Sequence, residues 1–219
     1  DLHHRGERDR LDALYKQVTR WTLAATIPVL LVLAILPGPV LRIFGADFVQ
    51  GEDALRILIV GMIVPVMVGT VGLILIMAGR TGWDLLVYMS AFALDVGIAL
   101  LLAGPNALGI EGAAIAQACT LTFSAVVRLL LVRRFLDIWP FDGGFVRLLP
   151  ATLAGGIAMA LTHAILPAEK WFMDLVASFT VGSLVYVVVL FAVGLPPDER
   201  AALVAMARKV LGRRSTTAR

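Results

Sequence analysis

The chain has little charge and is poor in cysteine and histidine. Asp, Glu, Lys and Arg make up 16% of its 219 residues, against about a quarter in an average soluble domain. The single cysteine, Cys119, excludes an intrachain disulfide and a cysteine-based metal site. We expect it to be a small buried residue in an apolar segment. The histidines, His3, His4 and His163, lack metal-ligand spacing, so we predict no metal and no cofactor.

Motifs of common enzyme classes are also missing. The sequence contains no Gly-x-Ser-x-Gly, no His-Glu-x-x-His and no phosphate-binding glycine loop followed by Lys. An intramembrane serine protease needs a serine and a histidine at comparable depth. The serines of the apolar segments, Ser90, Ser124, Ser178 and Ser183, lack such a context. We therefore predict that the protein is not an enzyme.

Long apolar segments dominate what is present. Hydrophobic residues make up 59% of the chain, and the mean hydropathy is +0.89. A bilayer core about 30 Å thick needs about 20 helical residues. Six segments reach or approach this length, and prolines and glycines separate them. They are residues 19–36, 55–78, 85–103, 112–132, 148–166 and 172–195, which predicts an all-α membrane protein with six transmembrane helices.

The basic residues predict the orientation of these helices. Six spans place sixteen of the nineteen Lys and Arg residues on the side that holds both termini, and leave only Arg42, Arg56 and Lys170 on the other. Positive charge marks cytoplasmic segments, so we predict cytoplasmic termini. Residues 1–18 are predicted as a cytoplasmic amphipathic segment, and residues 196–219 as a cytoplasmic amphipathic helix with a basic tail. The net charge of +3 is small and predicts no nucleic-acid partner.

One acidic residue, Asp95, lies inside the third predicted span. A carboxylate at this depth costs roughly 3 kcal/mol on insertion scales, and such residues commonly serve transport. Asp95 is therefore a candidate coupling residue for a proton or cation, or a polar contact to a substrate head group. The alternative is a structural hydrogen bond to Gln117 or Thr120 on the next helix.

Small residues recur on one face of the fourth span. Gly112, Ala116, Thr120, Ser124 and Arg128 are each four residues apart, so they share a helix face. This face predicts either close helix packing or a cavity lining. Arg128 could bind a phosphate, or it could anchor the cytoplasmic end of the helix.

Two further pairs of small residues indicate close packing in the last two spans. Gly155 and Gly156 lie in the fifth span, and Gly182 and Ser183 lie in the sixth. Such residues let the backbones of membrane helices approach each other closely. We predict helix contacts at both places.

The order of several short elements resembles a known transporter family. The elements are Leu14-Tyr15 with Arg20, Ile43 to Phe48, Ala54 to Leu58, and Gly109 to Ala116. Together they resemble bacterial polysaccharide flippases of the multidrug/oligosaccharidyl-lipid/polysaccharide exporter superfamily. The resemblance covers residues 10–135, and the last two spans match in general character.

The resemblance implies a larger architecture and a function. Members of the family have 12–14 helices in two bundles and move lipid-linked saccharide across the bacterial inner membrane by alternating access. This chain would be the C-terminal part of such a transporter. The implied partners are the lipid bilayer, lipid-linked saccharide, and a polysaccharide polymerase or glycosyltransferase. The family often has Asn near Asp95, so the acid favours coupling over direct contact with the substrate.

Two other functions remain open at this point. The first is a cation-coupled multidrug exporter of the same superfamily, because an intramembrane acid suits a cationic substrate. The second is a membrane scaffold, without transport activity, in a polysaccharide assembly complex.

Overall fold

The described part of the molecule is helical. The computed structural model describes residues 2–69, 71–102, 104, 108–137, 139, 145–166 and 170–194, with side chains from residue 15 onward. These ranges contain eight α-helices and no β-strand, which confirms the all-α prediction. The helices are α1 (Leu2–Ile35), α2 (Pro37–Arg42), α3 (Glu52–Val68), α4 (Val71–Met77), α5 (Thr81–Leu102), α6 (Ile110–Leu136), α7 (Leu148–Ile165) and α8 (Trp171–Val189).

Five of the six predicted apolar segments correspond to single helices long enough to cross a membrane. The other corresponds to α3 followed by α4, which gives a sixth span if the bent pair is counted as one. The protein is therefore a multi-pass membrane protein. The predicted amphipathic segment at residues 1–18 is continuous with the first span, since α1 runs unbroken from Leu2 to Ile35. The helix predicted in residues 196–219 lies outside the described residues.

The second span is divided, where the sequence predicts one continuous segment. Helix α3 ends at Val68, and α4 starts at Val71 with a bend of 44°. Pro65 lacks the amide hydrogen that would bond the previous turn. Gly69 then takes a φ of 67°, a conformation open to glycine. The two residues together account for the break.

A short connection between the first two spans contains structure that hydropathy does not predict. Helix α2 has Pro37 at its start, where a proline needs no hydrogen-bond partner. A 3₁₀ turn, Ala46–Gly51, follows and leads into α3. We call this end of the molecule the α2 end. It also holds the last turn of α7 and the first turn of α8, since His163 and Asp174 share a cavity with Pro37.

The helices form a row rather than a closed bundle. Helix α5 packs on α6, α6 on α3, α3 on α1, α1 on α7, and α7 on α8. Within the described residues, neither α5 nor α6 packs extensively against α7 or α8. One apolar core joins α1, the α3–α4 break and α6 around Leu75 and Val132. A second core joins α1, α7 and α8 around Ala151 and Tyr186.

Glycines allow the closest helix contacts. At Gly61 of α3, an added Cβ would lie 2.5 Å from the Cα of Ala118 on α6. On α7, a Cβ at Gly155 would lie 3.1 Å from the carbonyl oxygen of Gly182 on α8. Gly156 instead faces Leu31 of α1. Gly112 and Ala116 are both buried on α6.

Cys119 does not lie in the core. Its side chain is exposed and lines an apolar groove between α3 and α6. Ala118 already faces α3 and Thr120 faces α5, so the residue between them points outward. The expectation of a buried cysteine was wrong, because an exposed position on a membrane helix can be as apolar as a core position.

Candidate functional site

The interface between α5 and α6 holds the intramembrane acid. The Thr120 hydroxyl donates a hydrogen bond to Asp95 Oδ1 at 3.3 Å. Asp95 is half-buried, and Thr120 is buried. Asp95 lies seven residues before the end of α5, or about 10 Å along the helix. The carboxylate is thus paired inside a span, with one of the two partners that the sequence suggested.

The other predicted residues of α6 divide between two surroundings. Ser124 is buried on the face that carries Thr120, and its hydroxyl donates to the carbonyl of Leu121 at 2.9 Å. Gln117 is exposed and lines a cavity with Asp47 and Phe48 at the α2 end. Among the described residues, Gln117 is therefore not the partner of Asp95, which bonds to Thr120. The small residues of α6 form a packed interface with α5 at this level.

Arg128 forms a buried ion pair near the opposite end of the α5–α6 interface. Its Nε lies 2.7 Å from Asp84 Oδ1, and the two side chains are 12% and 7% exposed. The guanidinium also lies over the ring of Tyr88, 4.2 Å from the centroid. Asp84 is in the first turn of α5, where the helix dipole favours a negative charge. Neither the phosphate-binding nor the anchoring interpretation anticipates this pairing.

The ion pair lies beside the broken span. A Cβ at Gly72, in α4, would be 3.4 Å from Arg128 Nε and 3.8 Å from Asp84 Oδ1. Arg128 Nη2 is buried without a hydrogen-bond partner among the described residues. A buried cation with an unsatisfied donor is costly. The charges and the interrupted helix therefore form one connected region.

Three carbonyl groups left open by prolines and by the helix break receive hydroxyl groups from other helices. Pro28 cannot donate to Ala24, and the Tyr186 hydroxyl donates to the Ala24 carbonyl oxygen at 2.9 Å. Pro65 likewise cannot donate to Gly61, whose carbonyl oxygen accepts from the Thr122 hydroxyl at 3.3 Å.

The third carbonyl belongs to Val68, at the end of α3. Its oxygen accepts a hydrogen bond from the Tyr15 hydroxyl at 2.7 Å. A membrane interior offers no water to such groups, so bonds from neighbouring helices stabilise an irregular backbone there.

A polar cavity of about 440 Å³ opens at the α2 end. Its polar lining residues are Arg42, Glu52, Arg56, His163, Trp171 and Asp174. They come from the end of α2, the first turns of α3 and α8, and the end of α7. Two of these positions suit the helix dipoles, since Asp174 is in a first turn and His163 in a last turn.

Asp174 connects a histidine and a serine in this cavity. His163 Nδ1 lies 2.7 Å from Asp174 Oδ2, and the Ser178 hydroxyl donates to Asp174 Oδ1 at 3.0 Å. In a serine hydrolase, the histidine stands between the serine and the acid. Here the acid stands between the other two, so these three side chains do not have that order, and they hold one another in a fixed arrangement.

Sequence reasoning did not single out Asp84, Asp174 or the cavity. Asp84 and Arg128 are 44 residues apart, so no local spacing indicates the pair. The polar lining of the cavity combines four separate segments. One signal was present: Asp174 and Ser178 are four residues apart within an apolar segment, which puts both on one helix face.

Comparison with known proteins adds no family assignment. No family model matches the chain, and no curated protein is significantly similar to it.

Proposed function

We propose that the chain is part of a transporter that moves lipid-linked saccharide across the bacterial inner membrane by alternating access. The observation that supports this most is the broken span beside the buried ion pair. The α3–α4 bend of 44° lies next to Asp84 and Arg128. Interrupted helices with nearby charges are typical of transporter sites. In this proposal both termini of the chain are cytoplasmic.

The α5–α6 interface would serve the transport cycle through Asp95. Asp95 and Asp84 are eleven residues apart on α5, or about 16 Å. At that separation Arg128 neutralises Asp84 and not Asp95. Among the described residues, the only partner of Asp95 is the Thr120 hydroxyl. Such an acid is suited to binding and releasing a proton or cation as the helices move.

The test is Asp95→Asn in the protein expressed at full length in its host. We expect translocation of the saccharide lipid to fall to the level of a host without the protein, while the amount in the membrane stays unchanged. The measurement is accumulation of the lipid-linked saccharide in the cytoplasmic leaflet. Asp47→Asn is the matched control, because Asp47 is exposed on the 3₁₀ turn. Normal translocation by Asp95→Asn would remove Asp95 from the mechanism.

A second function, export of cationic compounds coupled to an ion gradient, is favoured by the same carboxylate. It predicts that Asp95→Asn abolishes gradient-driven efflux of a lipophilic cation from vesicles. Efflux without any effect on the saccharide lipid would support this alternative. The absence of both activities would instead favour a scaffold that binds a polysaccharide polymerase or glycosyltransferase.

A further inference from the structure

The charged residues that line the cavity at the α2 end differ in whether they have charged partners within the protein. Arg56 is paired on its own helix, with Asp53 Oδ1 at 2.8 Å and Glu52 Oε2 at 3.3 Å. Asp174 is held by His163 and Ser178. The acidic groups of the cavity thus have partners within the protein.

Arg42 differs from the other charged residues of this cavity. Its guanidinium lies 6.0 Å from the ring centroid of Trp171, and no ion pair to it occurs among the described residues. The side chain is exposed and lines the cavity. Arg42 is therefore the cation that remains for an anion from solution, and a guanidinium binds carboxylate or phosphate with two parallel hydrogen bonds.

Two other residues that line the cavity, His163 and Trp171, offer groups suited to a sugar. In the neutral tautomer that donates Nδ1–H to Asp174, His163 keeps Nε2 as an acceptor, and its side chain is 43% exposed. The buried Asp174 fixes the ring. Trp171 adds an apolar indole surface of the kind that packs against the C–H face of a sugar ring. The volume of about 440 Å³ is within the range of small-ligand sites.

We propose that this cavity binds a saccharide unit that carries an anionic group. Arg42 contacts the anion, His163 accepts from a sugar hydroxyl, and Trp171 packs against the ring. The inference rests on the proposed transport of lipid-linked saccharide and adds a site for the sugar on the side of the membrane opposite the termini. It lies apart from the α5–α6 interface, since no residue of α5 or α6 lines the cavity.

The test is ligand-observed NMR on the full chain in lipid nanodiscs, by saturation transfer for the two sugars and by phosphorus line broadening for inorganic phosphate, which has no carbon-bound proton. The probes are glucuronate, glucose and inorganic phosphate. We expect glucuronate to bind most tightly, glucose more weakly and phosphate most weakly. Arg42→Gln should weaken glucuronate roughly tenfold or more, since it removes a charged hydrogen-bond partner, and should leave glucose nearly unchanged. His163→Ala should weaken both sugars.

Arg147→Gln is the matched control, because Arg147 is an exposed arginine outside the cavity that immediately precedes α7. Equal affinity for glucuronate and glucose would overturn the anionic requirement. Phosphate binding as tight as glucuronate binding would overturn saccharide recognition, and an equal effect of Arg147→Gln would overturn the role of Arg42. Because sugar binding is measured without transport, the two proposals can fail separately. Absence of sugar binding in a protein that still translocates the saccharide lipid refutes only this site. Binding without translocation refutes only the proposed function.

Discussion

The Asp84–Arg128 pair brings two charges into a region with few other polar groups. Both side chains are nearly inaccessible, with 7% and 12% exposure. Their mutual attraction, the Tyr88 ring and the dipole of α5 offset the loss of hydration. The protein contains a natural comparison, because Arg56 and Asp53 form a similar contact at the surface, with exposures of 51% and 68%.

We predict that Asp84→Ala lowers the free energy of unfolding by about 3–5 kcal/mol, because it leaves Arg128 buried without a counter-charge. Asp53→Ala should change it by about 0–1 kcal/mol. The measurement is reversible unfolding in lipid or detergent. The double variant Asp84→Leu with Arg128→Met should recover much of the loss, since an apolar pair can replace a buried ion pair. Equal effects of the two alanine variants would contradict this account.

Single residues were predictable where a charged group interrupts an apolar segment and polar residues on the next segment can reach it. Asp95 stood out in an apolar segment, and Thr120 was one of its two named candidate partners. Arg128 also stood out, but its partner Asp84 did not, because Asp84 immediately precedes the predicted span of residues 85–103, where a charge is ordinary. Pairing across 44 residues depends on the relative rotation of α5 and α6, which apolar periodicity does not specify.

At the scale of elements, the contact between α3 and α6 depends on the absence of a side chain at Gly61. A Cβ there would lie 2.5 Å from the backbone of Ala118, so the helices would have to separate. Gly97 of α5 has no such neighbour within 4 Å. The two glycines occur in similar apolar helices and differ in what they face.

We predict that Gly61→Ala reduces stability by about 1–3 kcal/mol through overpacking. Gly97→Ala should be neutral or stabilising by up to about 1 kcal/mol, because alanine is the better helix former. Thermal unfolding of both variants in the same lipid checks this. A neutral Gly61→Ala would show that the α3–α6 contact tolerates a wider spacing than the structure has.

The existence of the apolar helices was predictable from hydropathy, and one interruption was not. Pro28 and Pro65 look alike in sequence, yet α1 continues past Pro28 while α3 ends three residues after Pro65. The difference is Gly69, which takes a positive φ. Composition identifies both prolines, but whether the helix ends after a proline depends on whether a following residue takes a non-helical conformation, as Gly69 does.

At the scale of the whole molecule, the row of helices leaves broad apolar faces uncovered. In α5, only 11% of the candidate span is buried inside the molecule. Its outward residues include Leu85, Met89, Phe92 and Leu100. In a membrane these faces meet lipid or other helices, so the row is stable only in an apolar surrounding.

The predicted orientation can be tested with single cysteines in a Cys119→Ala background. Asp47 and Thr81 are both exposed and lie on opposite ends of the span formed by α3 and α4. We expect a membrane-impermeant maleimide to label Asp47→Cys in right-side-out vesicles and Thr81→Cys only in inverted ones. The reverse pattern would refute cytoplasmic termini, and labelling of both positions in one kind of vesicle would refute the second span.

The hydroxyl groups that cover open carbonyls also constrain how this sequence can change over time. With proline at position 28, the Ala24 carbonyl has no amide donor on its own helix and is bonded by the hydroxyl at position 186. A residue with an amide hydrogen at position 28 would bond that carbonyl itself, and the hydroxyl would no longer be required. Positions 65 and 122 are related in the same way. We therefore expect each pair to covary among homologous sequences: where the proline is replaced, Tyr186 or Thr122 should give way to Phe or Val far more often than where it is kept.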